Sequence, residues 1–300
     1  MQPSKLRSIT LATLAGITLS ACGDSAGVDG DAHLRVLLTD AAAEYIGTAS
    51  VDIGAVELIP AEQGAPVLLT EDGTDGLTNL FELQNAATMV LAEATFAAGS
   101  YAQLRLIVEA AHVSLADGYE FNDGSTEMDL IVPSGAETGI KLLLGVADAD
   151  EQGPLIIAPG EMELVLDFDV GQSFVIQGDP ETPAGINSVL FTPTIRVALP
   201  SAAGTITGTV STSLESVSVE GLAVMAERAD EGEVEEFQTE TATTTTNADG
   251  TYALHFLVPG TYVVTVTTSE GLTTAPESVE VDVGAAETVP DVDFEVVASG

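Results

Sequence analysis

Tryptophan is missing from this chain of 300 residues, cysteine occurs once, and Lys and Arg together number seven against 47 Asp and Glu. Each shortage excludes something. The lone cysteine, Cys22, has no partner for an internal disulfide, so stability must come from a buried core. The shortage of cations, with a formal net charge of −40, argues against DNA and RNA as partners, whose affinity rests on Lys and Arg neutralising phosphates. Bare anionic lipid is excluded for the same reason. The three histidines, His33, His112 and His255, each stand without a second His or Cys nearby, whereas zinc sites need clustered ligands. A Gly-x-Ser-x-Gly nucleophile elbow, a phosphate loop with its lysine and a dinucleotide fingerprint are also missing.

What is present is enough to fold. Apolar residues make up 45% of the chain, so the acidity does not mean disorder. Two readings compete for it. One is adaptation to saline surroundings, where screening weakens self-repulsion. The other is binding of cations or cationic ligands. The carboxylates are spread over the whole chain, which favours the first.

Lys5 and Arg7 precede a short apolar run, Ile9 to Ile17, broken by Thr10, Thr13 and Gly16. Leu19-Ser20-Ala21-Cys22 follows. This is the layout of a secretory signal over residues 1–21, and its apolar run is too short to cross a bilayer as a helix. The small residue before the cysteine resembles the lipobox of bacterial lipoproteins. That resemblance implies cleavage before Cys22 and acylation of its thiol and amine, two or more chains giving stable anchoring. Residues 22–32 then read as a flexible tether. Gly23, rather than Asp, follows the cysteine, so the inner-membrane retention signal of enteric bacteria is absent. The expected location is the cell envelope, lipid-anchored and extracytoplasmic, on the outer membrane where the source has one.

From His33 the pattern becomes β. Val51-Asp52-Ile53 alternates with period two, slips at Ala55 and resumes at Val56-Glu57-Leu58, the mark of a half-buried strand with a bulge. Similar runs occur at residues 101–108, 111–115, 127–132, 139–146, 161–170 and 191–198. Leu80, Leu83, Ala87 and Val90-Leu91 are spaced for a short helix within Leu77 to Thr95. Leu199-Pro200-Ser201-Ala202-Ala203-Gly204 marks a boundary. After it, about seven Thr- and Val-rich strands fit into about a hundred residues, the size of an immunoglobulin-like sandwich. The expected fold is mainly β: two β-sandwich-type domains, residues 33–198 and 204–298, the first with a short helical insertion.

Gly204-Thr205-Ile206-Thr207-Gly208-Thr209-Val210, Val219-Glu220-Gly221-Leu222-Ala223-Val224 and Asn247-Ala248-Asp249-Gly250-Thr251-Tyr252 form one set of motifs. With Leu257-Val258-Pro259-Gly260-Thr261-Tyr262, the second part resembles the carboxypeptidase regulatory-like domain, a transthyretin-like sandwich. That resemblance implies a non-catalytic module grouped with carbohydrate-binding-like folds. Leu34-Arg35-Val36-Leu37-Leu38-Thr39-Asp40-Ala41 and Gly99-Ser100-Tyr101-Ala102-Gln103-Leu104-Arg105-Leu106 open a second set. Val132-Pro133-Ser134-Gly135, Gly139-Ile140-Lys141-Leu142, Leu166-Asp167-Phe168-Asp169 and Thr192-Pro193-Thr194-Ile195-Arg196 complete it. Together they resemble the domain of unknown function 4382 of bacterial and archaeal surface lipoproteins, departing from its pattern at Ala42, where proline is expected.

The scarce cations point to the most informative constellation. Arg35, Arg105, Lys141 and Arg196 each lie inside one of these motifs on an expected strand, and each needs carboxylate neighbours, with Asp40, Asp167 and Asp169 at hand. They form either a set of polar clamps between strands or a site that recognises anions. Asp167 and Asp169, two apart on a strand, share a face that is either solvated or a weak metal-binding candidate, calcium wanting six to eight oxygens. No cofactor is required. The acidic loops at 72–76 and 148–151 lack EF-hand spacing.

The leading expectation is therefore a non-catalytic, membrane-anchored surface lipoprotein serving adhesion, assembly or ligand binding, with a glycan or protein partner at the cell surface. A carbohydrate- or calcium-binding module is the alternative. A secreted hydrolase using carboxylates or a metal, with His112 in a pocket of acids, is the rival from another class.

Overall fold

The computed structural model of the chain describes residues 30–41, 45–71, 73–84, 86–132, 138–148, 151–180, 182, 184–229, 241–269 and 271–299. The expected leader, Cys22, most of the tether, Ala42, most of the 132–135 motif, part of both acidic loops and residues 230–240, where one of the expected Thr-rich strands begins, lie outside these residues.

The first half is built of β1 (Asp31–Ala41), β2 (Ile46–Pro60), β3 (Val67–Thr70), β4 (Thr78–Asn79), β5 (Met89–Ala97), β6 (Gly99–Leu115) and β7 (Glu127–Leu130). It continues with β8 (Ile140–Leu143), β9 (Gly145–Asp148), β10 (Glu151–Ile157), β11 (Gly160–Asp169), β12 (Phe174–Gly178), β13 (Ile186–Phe191) and β14 (Ile195–Ala198). One sheet has the order β14-β11-β1-β5. A larger one runs β3-β2-β6-β10-β9, with β4 on β2 and β7 and β8 on β6. β12 and β13 form a separate ribbon. The inward residues of β1, Leu34, Val36 and Leu38, meet Ile53, Leu58, Leu104 and Leu106 of the large sheet in one core. At full burial each such side chain contributes about 1.5–3 kcal/mol. The slip at Ala55 is a β-bulge in the β2–β6 ladder, which keeps Val51, Ile53, Val56 and Leu58 all buried.

The helical insertion is smaller than its spacing suggests. Only Leu80–Leu83 coils, as one 3-10 turn capped by Asn79, whose side chain accepts from the Phe81 N–H. Leu80 and Leu83 are the apolar pair that one turn can bury. Residues 89–95, which sequence spacing placed in the helix, belong instead to β5, paired antiparallel with β1. Ladder bonds and burial against β1 override the helix preference of Ala and Leu there. A second short helix, α1 (Val170–Ser173), was not expected and begins where Asp169 caps it.

The second half comprises β15 (Gly204–Thr212), β16 (Ala223–Arg228), β17 (Thr241–Thr245), β18 (Thr251–Leu257), β19 (Gly260–Val266), β20 (Leu272–Ala275), β21 (Ser278–Val283), β22 (Thr288–Val289) and β23 (Phe294–Ala298). Two sheets, β18-β15-β23-β20 and β17-β16-β19-β21, enclose their own core of Ile206, Val224, Leu254, Tyr262, Val264, Phe294 and Val296. The molecule is thus mainly β, as its alternation implies. The turn into β18 is set locally. The Asp249 carboxylate accepts from both the N–H and the hydroxyl of Thr251, and Gly250 takes φ +79°, where an added Cβ would meet the Val210 carbonyl. Tyr252 and Tyr262 are buried, their hydroxyls donating to the carbonyls of Val292 and Val258.

Candidate functional site

The carboxyl end of β11 is buried on both faces, its last six residues having lost almost all solvent contact. Leu166 and Phe168 enter the core. Asp167 and Asp169 point the other way, onto the second sandwich, and are only 6% and 1% exposed. The solvated reading of that face is therefore wrong for these two residues, although Glu161 and Glu163 on the same strand do remain exposed. The difference is position: the second half packs only over the strand's end.

Register brings the partners together. Thr39 lies opposite Asp167 in the parallel β1–β11 pair, and Asp167 opposite Arg196 in β11–β14. Arg196 and Asp167 form an ion pair with both side chains nine-tenths buried. Charges so desolvated persist only when paired. Asp169 accepts from the Gln172 backbone N–H at 2.9 Å and from its side-chain amide at 3.0 Å. It also accepts from the Thr243 hydroxyl on β17 at 3.2 Å, a bond that crosses from one half of the molecule to the other. Burial pushes the Asp169 carboxyl up from its ordinary range, and the neighbouring Asp167 charge adds to the rise. The Gln172, Arg196 and Thr243 interactions oppose it.

The second half contributes His255. In the β15–β18 ladder, Gly204 faces Leu257 and Ile206 faces Leu254. Thr205 alone therefore opposes both His255 and Phe256, and Phe256 takes φ +55°. This bulge re-aims the imidazole, which lines a small cavity with Thr39, Asp40, Asp167, Arg196 and Thr243. The cavity measures about 20 Å³, room for one water molecule. Burial lowers the His255 pKa, against the attraction of Asp167.

Of the seven residues singled out in the sequence, the fold gathers Asp40, Asp167, Asp169 and Arg196 at this seam. Arg35 and Arg105 clamp strands elsewhere. Arg35, 42% exposed, sits between Glu163 at 2.9 Å and Glu93 at 3.8 Å. Arg105 pairs with Glu57 at 3.0 Å, and Lys141 lies opposite Arg105 on β8, exposed. His112 is remote from the seam, on β6 beside Asp129 at 2.9 Å. Among the described residues no group of three or more His, Cys, Asp or Glu is placed to hold a metal ion. Sequence reading missed Thr243, Gln172 and His255. Asp169-Val170-Gly171-Gln172 carried a cap signal that could have found Gln172. Thr243 and His255 reach the seam only through packing and a bulge.

The fold is thus two β halves joined through buried carboxylates. The domain of unknown function DUF4382 matches residues 31–183, and the carboxypeptidase regulatory-like domain matches residues 205–295. The chain belongs to the DUF4382 family and carries a carboxypeptidase regulatory-like domain behind it. No curated protein matches the chain significantly. Among solved structures it aligns with the TIE protein of Bacillus anthracis at 8% identity and TM-score 0.23, covering 89% of this chain and 34% of that one. A minor pilin of Streptococcus agalactiae aligns at 10% identity and TM-score 0.24, over 90% of this chain and 98% of the pilin. The major pilin subunit of Bacillus cereus aligns at 11% identity and TM-score 0.23, over 90% and 100%. The chain spans about a third of the TIE protein.

Proposed function

We propose that the protein is a non-catalytic module of the cell envelope, anchored through lipid on Cys22 and exposing two β domains, residues 33–198 and 204–298, for adhesion, assembly or ligand binding. The carrying observation is that its most convergent polar groups are bonded to one another. Arg196 engages Asp167, while Gln172 and Thr243 engage Asp169. The space they leave admits one water, not a substrate. A regulatory-like partner domain and a leader ending in Leu-Ser-Ala-Cys support the same reading.

Two measurements test it. Cys22→Ala should release the protein from membranes or block its processing, and mass spectrometry should find acyl chains on the mature N-terminus. An unmodified N-terminus overturns the anchor. Broad substrate screening should find no turnover. Activity abolished by replacing one carboxylate would reject the module reading in favour of a hydrolase.

A small ligand is the second reading. It is favoured by an open cleft of about 330 Å³ lined by Asp117, Tyr119, Glu120 and Pro180. A tyrosine in an acidic cleft suits a glycan, and the carboxylates suit calcium. Calorimetry with calcium followed by a glycan array separates the two.

A further inference from the structure

The outward face of the large sheet differs from the rest of this acidic surface. Across β3, β2, β6 and β8, register places Leu68, Glu57, Arg105 and Lys141 in one row. The next row along the strands holds Ile59, Gln103 and Leu143, and Ile156 lies close by on β10, opposite Ser100. Leu68 is 45% exposed, Leu143 62% and Ile156 61%. Large apolar side chains exposed on one sheet face, on either side of the half-buried Glu57 and Arg105, suit an interaction surface.

Charge says what covers it. Of the other cations, Arg196 is buried against Asp167, Arg35 lies between two glutamates, and Arg228 donates to the Pro259 carbonyl. Among the described residues, only here do two cations face each other across neighbouring strands. Two copies of a chain with net charge −40 repel on most approaches. On this face the row is self-complementary. Turned about an axis parallel to the strands and lying between β2 and β6, Leu68-Glu57-Arg105-Lys141 meets Lys141-Arg105-Glu57-Leu68. Each Glu57 then faces the other copy's Arg105, and each Leu68 meets the aliphatic stem of Lys141. A two-fold contact requires this reciprocity.

We propose that a second copy of this chain docks here, sheet against sheet, as a two-fold dimer centred between β2 and β6. Leu143 and Ile156 supply apolar contact, and the Glu57 and Arg105 pairs fix the alignment.

Sedimentation velocity on the purified full chain tests this. The wild type should dimerise with rising concentration. Glu57→Arg alone sets arginines against arginines across the axis, and Arg105→Glu alone sets glutamates against glutamates. Each should weaken self-association at least about tenfold. Mixed in equal amounts, the two variants should dimerise again. The new arginine of one then meets the new glutamate of the other, and native Arg105 meets native Glu57. Circular dichroism checks folding. Should a charge variant not fold, Leu143→Asp at a well-exposed position decides alone, and it should leave a monomer. A wild type that stays monomeric at every concentration, variants that dimerise undiminished, or a mixture that stays apart overturns the proposal.

Discussion

The two halves of this molecule solve the same problem in different ways. The second half buries threonines and tyrosine hydroxyls, and the hydroxyls of Thr246, Tyr252 and Tyr262 donate to the carbonyls of Val219, Val292 and Val258. Among its described residues none of the buried polar side chains is charged. Several of its strands join through short turns, as at Asp249-Gly250 and Pro259-Gly260, and β15 is closed by parallel pairing with β22 and β23. The first half buries Asp40, Asp167 and Asp169 and relies on pairings between distant segments, including the parallel β1–β11 pair separated by more than a hundred residues. Its three arginines, Arg35, Arg105 and Arg196, serve as fasteners. The comparison teaches that an acidic chain can keep a charged seam only where it commits an arginine to it, and that such a seam falls where long-range pairings end.

The largest expected effect breaks that fastener. Arg196→Ala leaves Asp167 buried and unpaired, and should cost about 3–5 kcal/mol, lowering the denaturant midpoint of the first half far more than that of the second. Equal loss in both halves would show that they unfold as one unit. In the second half the counterpart is Tyr252→Phe. It leaves the buried Val292 carbonyl without its hydroxyl partner and should cost about 1–3 kcal/mol, felt mainly in the second transition.

Acidity sharpens the comparison at the seam itself. His255 binds its proton less tightly when folded than its ordinary value of 6.5 implies, because burial disfavours the cation. Its contribution is therefore present above pH 6.5 and lost as pH falls through the folded pKa. Asp169 works in the opposite sense. Its folded pKa is raised above 3.8, so its contribution is present below 3.8 and lost as pH rises through the folded value. Stability measured between pH 7 and 4 should show two opposed slopes. His255→Gln should flatten the upper one alone, and Asp169→Asn, which keeps a capping oxygen for Gln172, the lower one alone. A profile unchanged in both variants would remove these groups from the seam's energetics.

The smallest effect belongs to the exposed clamp. Arg35→Gln should change stability by about 0–1 kcal/mol, and less at high salt. A loss approaching that of Arg196→Ala would erase the distinction between surface and buried fasteners.

Much of this was legible beforehand. Period-two alternation exposed the core faces of β2 and β6, down to the bulge at Ala55, because a buried face tolerates no slip without repair. Asp249-Gly250 and Pro259-Gly260 announced the turns of the second half, because turn chemistry is local. The helix within Leu77 to Thr95 was overestimated, because intrinsic preference is weak beside an available partner strand.

The amino-acid order by itself determined the β character, the two-part organisation and which cations needed partners, since each follows from composition, periodicity or local turns. Only the tertiary structure decided which partners they took. Asp167 and Glu163 lie on one strand, yet one is buried against Arg196 and the other stays in solvent beside Arg35. Nothing local distinguishes them. The reach of β17 and β18 over the end of β11 does, because burial turns an ordinary carboxylate into one that must be paired.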